Sequence, residues 1–172
     1  MATYQKCGED VSGMVDGLIL AHHDDLQKAA VSVECLYAYA PRSAATGEPT
    51  GPAIKFAGWP AAAIVRINSI KDRVEGKADA TIIIDGDTWK DRPEPEKLAL
   101  LDHELTALEV QRDKTGNVKL DDSCRPKLKK CLADWRCEGF VSVARRHKDA
   151  SLEVQQARQM AKDFGGYLFS MG

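Results

Sequence analysis

The run Ala80-Thr81-Ile82-Ile83-Ile84-Asp85 constrains the fold of this chain more than any other segment. It is short, apolar and β-branched, and Gly86 stops it, so it reads as the clearest strand of the chain. A helix start follows within ten residues. Asp91-Arg92-Pro93-Glu94-Pro95-Glu96 offers an Asp cap, prolines for the first turn and acids beside the positive end of the helix dipole. The helix is predicted to run to about Leu108. Leu98, Leu101, Leu105 and Leu108 form its apolar stripe at steps of three and four. A strand followed by a helix with one apolar face fits a sheet packed against helices.

The remaining periodicities fill in that layout. Residues 9–30 read as a helix through Val11, Val15, Leu18, Ile19 and Leu26, weakened by Gly13 and Gly17. Residues 31–39 and 62–68 read as strands. Pro41 to Pro60 is a long loop rich in Pro and Gly, with a short pairing around Ile54–Ala57. Asp113–Asn117 is a turn between extended arms at Glu109–Arg112 and Val118–Leu120. Helices follow at about 133–147, with Trp135, Phe140 and Val143 in its core face, and at about 151–164, capped by Ser151 and stopped at Gly165-Gly166. Trp59 and Trp89 are read as core or loop anchors. The class is α+β: a sheet of three to four strands packed against helices. At 172 residues the chain is expected to form a single domain, 1–172.

Charge and cysteine content narrow the setting. There are 24 Lys+Arg against 26 Asp+Glu, a net charge of -2, which argues against wholesale coating of nucleic acid. No apolar run approaches a membrane span, and the N-terminus lacks the apolar core of a secretion signal, so the expected compartment is the cytoplasm. There Cys7, Cys35, Cys124, Cys131 and Cys137 are expected as reduced thiols, with no Cys-x-x-Cys pair among them.

The chemistry-bearing segment is Leu98-Ala99-Leu100-Leu101-Asp102-His103-Glu104-Leu105-Thr106-Ala107-Leu108. On a helix, His-Glu followed by two residues and a second His presents both imidazoles to one metal. The Glu then stands beside the metal-bound water as general base. Here His103 and Glu104 are present, but position 107 is Ala107.

Several segments together resemble the phage metallopeptidase family, a small zincin-like group similar in style to SprT-type proteases. They are Thr88-Trp89 after the Ile-rich strand, Leu98–Leu105, Arg125-Pro126-Lys127-Leu128-Lys129, Asp134-Trp135 with Gly139-Phe140, and His22-His23-Asp24-Asp25-Leu26. The likeness covers roughly residues 18–168. It implies a zincin-like fold built on the His-Glu helix. It also implies zinc held by the two motif His and a later His standing just before an Asp. That later position is Ala133, ahead of Asp134. Of the implied site, His103 as metal ligand and Glu104 as catalytic base carry over, and the ligand positions 107 and 133 are alanine. One imidazole does not make a zinc site, so weak or absent zinc binding and no peptidase activity are expected. Natural decay and deliberate alanine replacement both produce that pattern.

Cys124, Cys131, Cys137 and Asp134 lie downstream but at no standard ligand spacing, and the cysteines are read as small hydrophobes. Two further readings accompany the metallopeptidase-like one. The first is a non-catalytic accessory or anti-defence module that holds a protein or peptide partner. The second is a nucleic-acid-associated protein using the basic clusters 125–130 and 145–148, less favoured given the net charge and the lack of interleaved aromatics. His22 and His23 beside Asp24 and Asp25 read as an exposed polar helix end.

Overall fold

In the computed structural model, the structure describes residues 2–131 and 141–168. The chain divides into two compact units, 1–132 and 133–172.

The first unit opens with β1 (Thr3–Lys6), α1 (Glu9–His22), α2 (Asp24–Lys28) and β2 (Val33–Tyr39). The small hairpin β3 (Lys55–Phe56) and β4 (Trp59–Pro60) leads into β5 (Ala63–Ile67), α3 (Ile70–Val74) and β6 (Ala80–Asp85). Then come α4 (Gly86–Trp89), α5 (Glu94–Thr106), β7 (Leu108–Val110) and β8 (Leu128–Lys130). The main sheet runs β1-β2-β6-β5, with β2 and β6 parallel and the two outer pairings antiparallel. The second unit contains α6 (Val141–His147), a 3-10 turn at Lys148–Ala150 and α7 (Leu152–Leu168).

The Ile-rich run is the central strand: every residue of β6 is buried. Its alternation feeds two cores. Ala80, Ile82 and Ile84 face the helices, where Cys35, Ala63 and Val65 meet Val11 and Val15 of α1 and Leu101 and Leu105 of α5. Ile83 faces the other way, into a small cluster with Ala38 and Ile54. Each of the large aliphatic side chains so buried contributes about 1.5–3 kcal/mol relative to exposure.

Several expectations are corrected. The first helix breaks at His23 (φ -122, ψ 58), and α2 ends before Ala30, which takes φ 53. The segment Thr3–Lys6 is an edge strand, exposed throughout, so no burial alternation marked it in the sequence. α5 starts after Pro93, not Asp91, and ends at Thr106, because Ala107 is its C-cap and Leu108 already pairs with Lys130. Gly86 stops β6 but opens a short helix, capped by the Asp85 carboxylate on the Asp87 and Thr88 N–H groups. Trp89 is core, whereas Trp59 lies 76% exposed on the hairpin. The arm Glu109–Val110 pairs with Leu128-Lys129, while Arg112 bridges Val118. α7 continues past Gly165-Gly166 to Leu168. The first part of the expected helix 133–147, with Trp135 and Phe140, lies outside the described residues.

A buried ion cluster fixes the β7–β8 ribbon to the sheet. Arg73 Nη1 stands 2.9 Å from Asp121 Oδ2 and 3.6 Å from Asp79 Oδ1, and Arg125 Nε stands 2.9 Å from Asp79 Oδ1. Asp79 Oδ2 accepts from the Ser32 N–H and hydroxyl. Arg125, part of the basic cluster 125–130, therefore points inward. Its neighbours Pro126 and Leu128 are buried, and Lys129 pairs with Glu109 at 3.0 Å.

Candidate functional site

The site is built on the C-terminal half of α5. The stripe that buries Leu101 and Leu105 also carries Glu104, since i, i+3 and i+4 share a helical face. Glu104 is consequently buried at 8% exposure, while His103, one position round the helix, is exposed. Ala107 lies one turn beyond His103, and its N–H donates to the His103 carbonyl at 3.2 Å. The motif spacing thus does what the sequence implies and brings 103 and 107 onto one face, but at 107 only a methyl group projects.

The Glu104 carboxylate has a definite partner. The backbone N–H of Val65 donates to Glu104 Oε2 at 2.7 Å. Val65 belongs to β5, the terminal strand of the sheet. The Asp85 N–H donates to the Ala62 carbonyl and the Asn68 N–H to the Asp79 carbonyl, so the even-numbered residues of this strand turn toward β6. The N–H of Val65 points the opposite way, off the edge of the sheet, and Glu104 satisfies it. Burial pushes the Glu104 carboxyl above the usual carboxylate range; the Val65 N–H, and His103 and Lys130 nearby, pull it partly back.

The residue before the motif has a structural tie. His23 Nε2 and Asp102 Oδ1 are 2.7 Å apart, which pins the break between α1 and α2 to α5. His23 is therefore not part of an exposed helix end, although His22 is exposed.

The downstream segment returns to the same helix end. The Cys131 N–H donates to the Ala107 carbonyl at 3.0 Å, and Cys131 Sγ donates to the Thr106 carbonyl at 3.0 Å. Ala133, with Asp134 and Cys137, lies outside the described residues. Cys124 is exposed, at φ 59 in a loop. Among the described residues, no group of three His, Cys, Asp or Glu side chains converges as a metal site.

The partners of Glu104 and Asp102 were not identified in the sequence. The placement of Glu104 was available there, because Leu101, Glu104, Leu105 and Leu108 follow the i, i+3, i+4, i+7 rule of a buried stripe. Val65 and His23 lie 39 and 79 residues away, and no local signal points to either.

No curated protein and no solved structure matches the chain. A family profile does match, described as "Putative phage metallopeptidase", over residues 4–164. That span covers nearly the whole sequence and includes the His-Glu helix with both alanine positions, and the chain belongs to the phage metallopeptidase family.

Proposed function

We propose that the chain is a metallopeptidase-like protein with an incomplete metal centre, inactive as a peptidase. It would keep the family scaffold to hold a protein or peptide partner in the cytoplasm of the host cell. The observation that carries this reading is the bond from the Val65 N–H to Glu104 Oε2. The group that would serve as general base in an intact member also ties the motif helix to the edge of a strand, and no second ligand side chain stands beside His103 at 107.

The side chains do not fit zinc. Intact members would hold it through the motif imidazoles and a third His, with the metal activating the attacking water. Among the described residues His103 joins no group of three His, Cys, Asp or Glu side chains that could hold a metal, and positions 107 and 133 are alanine. No hydrolytic step is therefore assigned. The support for a binding role is that the chain matches the family over residues 4–164 while the ligand positions 107 and 133 are alanine.

Metal analysis of the purified chain tests the reading. Well under one zinc per chain is expected, and no peptide hydrolysis with added zinc. The double substitution A107H/A133H should gain a zinc per chain. One zinc per unaltered chain, with hydrolysis that a chelator abolishes, overturns the proposal. Failure of the double variant to bind zinc removes the assignment of 107 and 133 as ligand positions.

A further inference from the structure

Cys7 and Cys35 face each other across the first strand pair. The β1–β2 register ends at Lys6 opposite Leu36, and one residue on Cys7 stands opposite Cys35, its N–H donating to the Cys35 carbonyl at 3.0 Å. Directly opposed residues of this hydrogen-bonded kind have Cα atoms about 5.5 Å apart. Disulfides span about 4.4–6.8 Å between Cα atoms. Both side chains lie on the helix-covered face: Cys35 is buried in the main core and Cys7 packs against it, half-buried. Neither is used by the His-Glu site. The thiols are close enough for the charge of one to disfavour ionisation of the other.

We propose that Cys7 and Cys35 form an oxidisable dithiol, converted by hydrogen peroxide into a cross-strand disulfide that staples β1 to the sheet. The Cys7 sulfur, the more accessible of the two, attacks one peroxide oxygen as its thiolate. The O–O bond breaks, and the departing hydroxide takes up the Cys7 proton as water. Cys7 is then a sulfenic acid. The Cys35 thiolate attacks the Cys7 sulfur, the S–S bond forms and the S–O bond breaks. The second hydroxide leaves as water with the Cys35 proton. Two thiols lose two electrons in total and the peroxide is reduced to two waters.

The surroundings keep the pair reduced under mild conditions. Burial pushes the Cys7 thiol up to about 12, with Asp10 of α1 adding to the rise and the Tyr37 hydroxyl pulling it back. Burial also pushes the Cys35 thiol up to about 12, with Cys7, Asp16 of α1 and Glu34 adding to the rise. Oxidation is therefore slow near neutrality and accelerates with alkali as the thiolate fraction grows.

The test is peroxide treatment of the full chain at several pH values, alkylation of the remaining thiols, and peptide mapping by mass spectrometry. A linked Cys7–Cys35 peptide pair, lighter by two hydrogens, is expected. Its yield should rise about tenfold per pH unit below the thiol range, and its formation should raise the melting temperature until a thiol reductant is added. C7S should abolish the linked pair, and because Cys7 is only half-buried it disturbs the core less than a change at the buried Cys35. Cys7 and Cys35 that stay fully alkylatable, or that oxidise separately or to other cysteines, overturn the proposal. This inference does not depend on the metal-centre reading.

Discussion

Glu104 carries two demands that pull in opposite directions. Its carboxylate accepts the Val65 N–H, yet burial disfavours its charge and raises its pKa in the folded chain. Between the ordinary carboxylate value and the raised one, the folded state holds a proton that the unfolded state has released. Stability is therefore fullest below the unfolded pKa and falls as pH rises through the folded one. E104Q keeps an acceptor for Val65 and loses the ionisation, so it should flatten that part of the pH–stability curve and match or exceed the parent at pH 8. E104A leaves the Val65 N–H buried without a partner and should cost about 1–3 kcal/mol. Urea denaturation of the three proteins at pH 5 and pH 8 distinguishes these outcomes. A parent curve with the same slope as E104Q would show that the carboxyl is not held protonated by burial.

At the scale of the element, the junction from β6 into α4 depends on a close approach. A Cβ built on Gly86 would lie 2.5 Å from the Tyr39 ring. That ring is held by Tyr37, whose centroid is 6.2 Å away, and Tyr37 in turn packs on Trp89. Gly86→Ala must displace the aromatic row and should destabilise by about 1–3 kcal/mol, read as a lower urea midpoint with an unchanged slope. An unchanged midpoint would mean that Tyr39 swings away freely. The same junction shows what was legible locally. The Ile run and Gly86 marked where β6 ends, because β-branched burial and a glycine stop are short-range signals. They did not show that Asp85 would cap a new helix one residue later, since its acceptor role depends on the turn already having formed. The Leu stripe likewise announced α5 and its buried face. The Thr3–Lys6 strand carried no such mark, because its stability comes from pairing with β2 and not from its own side chains.

Across the first unit, long-range ion pairing joins parts that the sequence leaves unconnected. Asp121 and Arg125 lie far along the chain from Arg73 and Asp79, and that distance hid their convergence. Asp121 is held below the usual carboxylate range chiefly by the Arg125 N–H, helped by the Ser123 N–H and the Arg73 and Arg125 charges. A carboxyl with a depressed folded pKa contributes stability that is complete above its unfolded value and lost as pH falls through the folded one. The chain should therefore begin to unfold in acid below about pH 4, through loss of the ribbon's anchor. Arg73→Met removes the shared cation and leaves Asp79 with Arg125 alone in a buried setting. Such a loss costs about 3–5 kcal/mol when a buried pair is broken. Acid titration followed by circular dichroism checks both expectations: the variant should unfold at lower urea at pH 7, and its acid transition should begin at higher pH than the parent's. If the two acid transitions coincide, the cluster is not what ties residues 107–131 to the sheet. The return of Cys131 to the end of the His-Glu helix would then rest on the β7–β8 pairing alone.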